Sequence, residues 1–161
     1  DERNSLVGSE MCIRDSYLVT KKNAIISLIH LFNGNIHLQK VYERFTFWVK
    51  KYNETLCSQN EEIVIQRRRC STDISLETAW LSGFFAAEGG FFAGLSIQKS
   101  EKKYVRLRLN AYVDQKTEFE VMKQIAFLFG VSNVTVRSVE KQTYRVECST
   151  KKALKNILIY F

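Results

Sequence analysis

The sequence has few of the residues that build metal clusters or disulfide frameworks. It contains 4 Cys and 2 His in 161 residues, and no two cysteines have the C-x-x-C spacing of a zinc ribbon. His30 and His37 lack carboxylate or cysteine companions at ligand spacing, so both are interpreted as structural. This composition excludes a zinc site and predicts reduced thiols in an intracellular protein.

Long apolar segments are also missing. No signal peptide is recognisable at the start of the sequence, and no run of about 18 uncharged apolar residues is present. The longest candidate, residues 81–97, carries Glu88 near its centre, where a charge is costly in lipid. The sequence therefore predicts no membrane partner.

Aromatic and basic residues are plentiful. The chain contains 11 Phe, 7 Tyr and 2 Trp, and its net charge is +7, with an isoelectric point near 9.3. A chain of this length and aromatic content is expected to fold around a core. Its basic balance suits a polyanionic partner, which is more commonly nucleic acid than an anionic membrane surface.

The first part of the chain predicts a terminal segment, two helices and a connector. Residues 1–16 include "SEMCIRDS", which resembles translated sequencing-adaptor sequence, and we expect them to be non-native or disordered. Helices are predicted over residues 20–32 and 38–52. The second has an apolar stripe, formed by Leu38, Val41, Tyr42, Phe45, Trp48, Val49 and Tyr52. Residues 53–74 are polar and are expected to form a linker.

The second part predicts an α+β fold. A helix is expected over residues 75–88, with Ser75 as its N-cap and with Gly89 and Gly90 ending it. Another helix opens on the capping box "TEFE" and covers residues 117–129. Strands are predicted over residues 91–98, 104–113, 133–139 and 143–149, and a last helix runs to the end of the sequence. This order predicts a four-stranded, mainly antiparallel sheet with helices on one face.

A short internal repeat relates the two parts. Residues 20–32 align with residues 149–161, which places Lys22 on Lys151 and Phe32 on Phe161. Together with the order of elements, the match predicts that residues 17–52 end one repeat. Residues 75–161 would then form most of a second repeat, truncated before its last helix, which would correspond to the helix predicted over residues 38–52.

One carboxylate stands out in the first helix of the second part. Ser82, Gly83, Ala86 and Ala87 form a strip of small residues that allows close packing of two helices, although ordinary packing on a neighbour would use the same strip. Glu88 lies in the last turn, where the helix dipole disfavours an anion. A divalent cation such as Mg²⁺ would offset this charge. Such an ion beside a basic strand surface is the usual arrangement for phosphodiester cleavage.

The sequence here resembles a known family. "WLSGFFAAEGGFF", residues 80–92, resembles the signature helix of the LAGLIDADG homing endonucleases, whose usual form is close to W-L-x-G-F-x-D-A-E-G-x-F. Residues 32–53 resemble the segment that ends the first repeat of the two-motif members. Two departures are visible: Ala86 stands where Asp is usual, and Gly90 replaces a commoner Cys or Ser. The first bears on local structure more than on chemistry, because the metal-binding position is Glu88.

The resemblance implies a site-specific DNA endonuclease that makes a Mg²⁺-dependent double-strand cut. In this family two signature helices pack side by side through their small residues, and the acid that ends each helix contributes to a shared metal site. Carried over, Glu88 is the catalytic and metal-binding acid, and the carbonyl of Ala87 is a further metal ligand. No first signature helix lies in these residues, so the fragment is expected to be inactive alone. The complete protein would be a pseudo-symmetric monomer, intron-encoded in a mitochondrion or chloroplast.

The resemblance also implies that each repeat's sheet covers half of a double-stranded DNA site. Strand alternation places two apolar sets under the helices: Phe91, Ala93, Leu95 and Ile97, and then Tyr144, Val146 and Cys148. The opposite face and the adjoining turn supply the predicted DNA contacts, which are Phe92, Gly94, Ser96, Gln98, Lys99, Lys102, Lys103, Arg106, Arg108, Asn110, Tyr112, Thr135, Arg137, Arg145 and Glu147. Arg, Asn and Gln suit base edges, whereas the turn lysines suit phosphates.

Two other functions stay open at the level of the sequence. A maturase would use the same fold to bind intron RNA as a splicing cofactor, without needing the carboxylates. A catalytically inactive relative would bind DNA only. Retention of Glu88 favours the nuclease, and a matching helix that ends in Asp or Glu is predicted upstream of residue 17.

Overall fold

The computed structural model describes residues 18–56, 62–98 and 104–161, with the backbone alone for Ser96, Ile97, Gln98 and Tyr104. The segment 1–16, predicted to be non-native or disordered, lies outside these residues, as do Lys99, Lys102 and Lys103. The chain divides into two compact units, Asp1–Asn33 and Gly34–Phe161. The regular elements are α1 (Lys22–Phe32), α2 (Gln39–Glu54), α3 (Trp80–Glu88), β1 (Gly89–Gln98), β2 (Tyr104–Lys116), α4 (Phe119–Phe129), β3 (Thr135–Ser138), β4 (Thr143–Cys148) and α5 (Lys151–Tyr160).

Helix α1 is the regular element described in the first unit. It begins after Lys21, which makes no side-chain cap, and its last carbonyls are partly satisfied by the N–H of Asn33, which donates to the carbonyl of Ile29 at 2.8 Å. The helix predicted over residues 20–32 is therefore confirmed to within two residues at its start. Among the helices that the structure describes, none combines the length and apolar character needed to cross a membrane.

In the second unit, α2 is held against the chain that follows it. Phe45 and Val49 of the predicted apolar stripe are buried. The side chain of Asn53 both donates to the carbonyl of Ile63, at 3.0 Å, and accepts from its N–H, at 3.2 Å. These two bonds satisfy both backbone polar groups of Ile63. The assignment of residues 53–74 as a linker between repeats stays a prediction.

His37 has the structural role predicted for it. Its Nδ1 lies 3.1 Å from the carbonyl oxygen of Cys70, and its ring packs edge-on against Trp80 with 5.0 Å between centroids. Burial lowers the pKa of His37, which favours the neutral ring at neutral pH. His30, by contrast, is exposed on α1.

The four strands form one antiparallel sheet in the order β1-β2-β4-β3. Helices α3, α4 and α5 pack against it, and apolar side chains from strands and helices share one core. The largest fully buried members include Leu81, Val113, Met122, Ile125 and Phe129. The predicted α+β class is confirmed, and Val146 and Cys148 are core residues as expected. Burial raises the pKa of the Cys148 thiol to about 11, so this group is protonated at neutral pH.

Two predicted helix starts are wrong. Helix α3 begins at Trp80, because residues 76–79 form turns, and Ser75 accepts a hydrogen bond from the N–H of Glu77 within that turn rather than capping a helix. The capping box "TEFE" is not formed either, since Thr117 has a φ of 63° and α4 begins only at Phe119. Local turn hydrogen bonds compete with the helical alternative at such residues. The C-terminal prediction for α4 is confirmed, with Gly130 left-handed at φ 72°.

The apolar face of the β1–β2 hairpin departs from the prediction. Alternation is correct, because Phe91 pairs with Ala111 and Leu95 with Leu107 on the face that bears the core. Ala111 is buried, but Phe91, Leu95 and Leu107 remain 64%, 73% and 60% exposed. In the described structure the helices therefore cover this face at Ala111 and Val113 of β2 but leave the side chains of β1 largely exposed, and the expectation that they cover all of it is wrong.

Candidate active site and nucleic-acid interface

Helix α3 has one buried face and one open face. Leu81, Phe84 and Phe85 are buried at i, i+3, i+4 spacing, and Trp80 stacks on Phe84 with 4.9 Å between ring centroids. These apolar contacts fix the rotation of the helix about its axis. Gly83, Ala86, Ala87 and Glu88 are consequently turned away from the core, whereas the Ser82 hydroxyl donates to the hydroxyl of Tyr160 at 3.3 Å.

The open face is the predicted strip of small residues. Gly83, Ala86 and Ala87 are exposed, and Ser82 is half-buried. A Cβ added to Gly83 would meet no heavy atom within 4 Å, so the described chain places nothing against this point. The surface is thus free of bulk and suits close approach by another helix. Its use as a helix-pairing interface stays a prediction.

The junction between α3 and β1 contains no loop. Glu88 is the last helical residue and is exposed, and Gly89 is the first residue of β1. Gly89 is extended, with φ −109°, so the expected glycine stop is not a left-handed cap. Close approach is the reason for glycine here. An added Cβ at Gly89 would lie 2.8 Å from the Phe85 carbonyl, and one at Gly90 would lie 2.8 Å from the Tyr112 hydroxyl.

The donor set at the end of α3 fits part of a magnesium site. Among the residues that the structure describes, no group of three or more His, Cys, Asp or Glu side chains is placed to hold a metal. Mg²⁺, however, is held by only one or two carboxylates together with water and phosphate oxygens. An exposed Glu88 carboxylate and the nearby Ala87 carbonyl match one side of such a site.

The predicted DNA-contact residues of β1 and β2 share the face opposite the core. Cross-strand pairing sets Phe92 beside Asn110, Gly94 beside Arg108, Ser96 beside Arg106 and Gln98 beside Tyr104. Directly opposed residues of an antiparallel pair lie on one face. Arg106 and Arg108 are exposed, whereas Asn110 and Tyr112 are half-buried. We call this face the polar sheet face.

The other two strands extend the polar sheet face. Tyr112 pairs with Glu147, and Arg145 is the cross-strand neighbour of both Asp114 and Thr135. Thr135, Arg137 and Glu147 are exposed, with Arg137 at an irregularity between Val136 and Ser138. The structure thus brings the described residues of the predicted set together on one sheet. Their contact with DNA stays a prediction.

Three of the predicted contact residues, Asn110, Glu147 and Arg145, are already hydrogen-bonded within the protein. Asn110 donates from Nδ2 to Glu147 Oε1 at 2.6 Å. Arg145 donates from Nε to Asp114 Oδ1 at 2.6 Å and from Nη2 to Asp114 Oδ2, and its guanidinium carbon lies 4.2 Å from the centre of the Tyr112 ring. Asp114 was missed by the sequence reasoning, although its even position in β2 places it on the same face as Arg108 and Tyr112.

Comparison with known proteins assigns the class. Residues 81–161 match the family described as LAGLIDADG endonuclease. Over 146 residues the chain is 36% identical to a Neurospora crassa protein named probable intron-encoded endonuclease 4. The chain therefore belongs to the LAGLIDADG endonuclease family, which confirms the resemblance. The match covers 90% of this chain but only 25% of the relative's length.

Solved structures with a related shape come from the same family. One is a homing endonuclease, I-TnaI, with 21% identity, a TM-score of 0.46, and coverage of 55% of this chain and 58% of that one. Another is I-SmaMI bound to cleaved DNA, with 14% identity, a TM-score of 0.46, and coverage of 88% and 43%. A third is I-AabMI bound to uncleaved DNA, with 18% identity, a TM-score of 0.45, and coverage of 88% and 44%. With TM-scores below 0.5, these likenesses transfer no detail to this chain.

Proposed function

We propose that this chain is part of a site-specific homing endonuclease that cuts both strands of DNA with Mg²⁺. The observation that carries the proposal is the placement of Glu88, an exposed carboxylate at the end of a helix whose open face is lined by small residues. That helix continues directly into the strand that opens the polar sheet face. Family membership supports the same function. An organellar, intron-encoded origin is part of the proposal, and the name of the Neurospora relative supports the intron-encoded part.

Each residue has a defined task in this proposal. Glu88 and the carbonyl of Ala87 would hold the metal ion, which when bound would stabilise charge on the reacting phosphate and supply an activated water. The strip formed by Ser82, Gly83, Ala86 and Ala87 would seat a second helix that brings its own acid. The polar sheet face would bind double-stranded DNA and orient it. Because the described residues provide one acid of the pair, the chain alone is expected to bind DNA without cutting it.

The first prediction concerns Glu88. In the complete protein that contains this chain, Glu88→Gln should abolish Mg²⁺-dependent cleavage and leave DNA affinity nearly unchanged, because the amide is isosteric but cannot balance a divalent cation. Cleavage is followed on a plasmid that carries the target site, and affinity by fluorescence anisotropy. Glu77→Gln is the matched control, since Glu77 is an exposed acid just before the same helix.

The outcomes separate the candidate functions. Loss of cutting in Glu88→Gln but not in Glu77→Gln supports the metal role. Cleavage that survives Glu88→Gln would show that this acid is not the metal ligand. A complete protein that binds DNA but never cuts it, even before mutation, would favour the maturase or the inactive binder instead.

A further inference from the structure

We infer that Asp114 positions Arg145 as a reader of one guanine on the polar sheet face. This inference rests on the proposed DNA-binding function and adds a residue and a base to it. Arg145 was expected to contact DNA, but nothing in its sequence position distinguishes it from the other arginines of the face. Its contacts in the structure do.

The ion pair fixes the orientation of the guanidinium. Arg145 and Asp114 are directly opposed on β4 and β2. Nε donates to Oδ1 at 2.6 Å, and Nη2 donates to Oδ2, so one whole edge of the planar guanidinium is held by one carboxylate. Two parallel hydrogen bonds define the plane of the group as well as its position. The side chain of Arg145 is only 18% exposed, which limits its alternatives further.

An aromatic ring supports the same group from one side. The guanidinium carbon of Arg145 lies 4.2 Å from the centre of the Tyr112 ring, within the range of a cation–π contact. Tyr112 in turn lies over Gly90, where an added Cβ would come within 2.8 Å of its hydroxyl. The hydrogen bonds that Arg145 donates to Asp114 also raise the pKa of Arg145, so the group stays cationic.

The unused edge of the guanidinium has the chemistry of a guanine reader. The Asp114 pair leaves Nη1 and the second hydrogen of Nη2, which form a parallel donor fork at the far end of the side chain. Within the described part of the chain this fork has no hydrogen-bond partner. Guanine offers O6 and N7 in the major groove as two acceptors at matching spacing. A fork that is already oriented loses less conformational freedom on binding than a free arginine side chain.

The charge of the pair favours base reading over phosphate binding. Asp114 cancels most of the positive charge of Arg145, so the pair adds little to the general attraction between a basic protein and DNA. A phosphate would also be repelled by the Asp114 carboxylate. A guanine edge has no net charge and takes no such penalty, so the pair contributes to discrimination rather than to overall affinity.

The test uses a library of randomised duplex DNA, sequenced before and after selection on the chain. The wild type should prefer guanine at one position of the selected sequences. Arg145→Lys should lower that preference about tenfold, because lysine keeps the charge but has no donor fork. Asp114→Asn should weaken the preference at that same position. It should leave affinity for the unselected library unchanged or higher, since it removes a negative charge from the face.

Control variants separate positioning from folding. Lys123→Gln changes an exposed cation on α4, on the opposite side of the sheet, and should leave the guanine preference at the Arg145 position intact. Thermal melting of each variant shows whether it is folded. The inference would be overturned if neither Arg145→Lys nor Asp114→Asn changed the base preferences. It would also be overturned if the variants lowered the affinity for every sequence equally, because that result indicates a phosphate contact or a structural role. A wild-type chain that binds no duplex DNA would instead contradict the proposed function. This outcome is distinguishable because the wild type is measured before any variant.

Discussion

At the scale of single residues, Tyr160 holds the start of the helix that ends in Glu88. Its hydroxyl donates to the carbonyl of Thr78 at 2.7 Å and accepts from the N–H of Ser82 at 3.1 Å. The N-cap of α3, Ala79, has no side chain that could do this. A residue of α5 therefore supplies the missing cap and ties the last helix to the candidate active site.

Removal of that hydroxyl should loosen the start of α3. Tyr160→Phe is expected to lower the free energy of unfolding by about 2 kcal/mol, because it removes two hydrogen bonds that contribute about 1 kcal/mol each. The amide of Ser82 should exchange with solvent faster, measured by hydrogen exchange with mass spectrometry. Tyr42→Phe is the control, because its hydroxyl donates to the carbonyl of Gln66 at an exposed site away from α3. Equal exchange at Ser82 in both variants would contradict the capping role.

The residue scale is also where the sequence was least informative. Glu88 and the strip of small residues could be identified because they lie within one short motif. The Tyr160 cap and the Asp114 pair join residues far apart in the chain, and a local pattern contains no information on strand register. Alternation places Asp114 on the polar sheet face, yet only the register of β2 against β4 sets it opposite Arg145.

At the scale of elements, the β1–β2 hairpin has two environments along one face. Val113 is fully buried near the end of β2, whereas Leu107, on the same face of the same strand, is 60% exposed. The sequence alternates identically at both positions. The difference arises because α3, α4 and α5 are shorter than the hairpin that they cover.

Stability measurements on matched alanine substitutions should resolve these environments. Val113→Ala is expected to lower the free energy of unfolding by about 2 kcal/mol, because it leaves a cavity in a closed core. Leu107→Ala removes more side-chain volume but should change that quantity by less than about 0.5 kcal/mol, since the lost surface was already in water. Urea unfolding followed by circular dichroism gives both values. A cost for Leu107→Ala that equals the cost for Val113→Ala would mean that the outer hairpin is covered in solution.

The elements themselves were mostly predictable. Alternation identified the strands and their faces, and the left-handed Gly130 ended α4 where expected. The starts of α3 and α4 were wrong because Ser75 and Thr117 bond locally in turns instead of capping. Coverage of the sheet could not be predicted at all, since it depends on relative element lengths and packing rather than on the pattern of any one strand.

At the scale of the whole molecule, positive charge exceeds negative charge by seven. Exposed arginines lie on the polar sheet face, whereas Lys123 lies on α4, which packs on the opposite face, and is paired with Glu120 at 2.9 Å. If the polar sheet face binds DNA, the arginines should displace counterions from the duplex and Lys123 should not. Net charge alone cannot distinguish the two surfaces.

The salt dependence of binding tests this difference. DNA affinity, measured by fluorescence anisotropy, should fall linearly on a logarithmic scale as the salt concentration rises, with a slope of about −0.9 per neutralised phosphate. Replacing Arg108 and Arg137 together by Gln should reduce the magnitude of the slope by up to about 2. Lys123→Gln should leave it unchanged. A slope that responds equally to both changes would argue against a DNA surface on this side of the sheet.

The direct passage from Glu88 into Gly89 has a consequence for how such an enzyme could be retargeted. If Glu88 and the polar sheet face act as proposed, the absence of a connector between Glu88 and β1 would keep constant the spacing between the bond that is cut and the bases that β1 contacts. Exchanging side chains along β1 would then change which sequence is chosen. The position of the cut within that sequence would stay constant, because it is set by the covalent backbone.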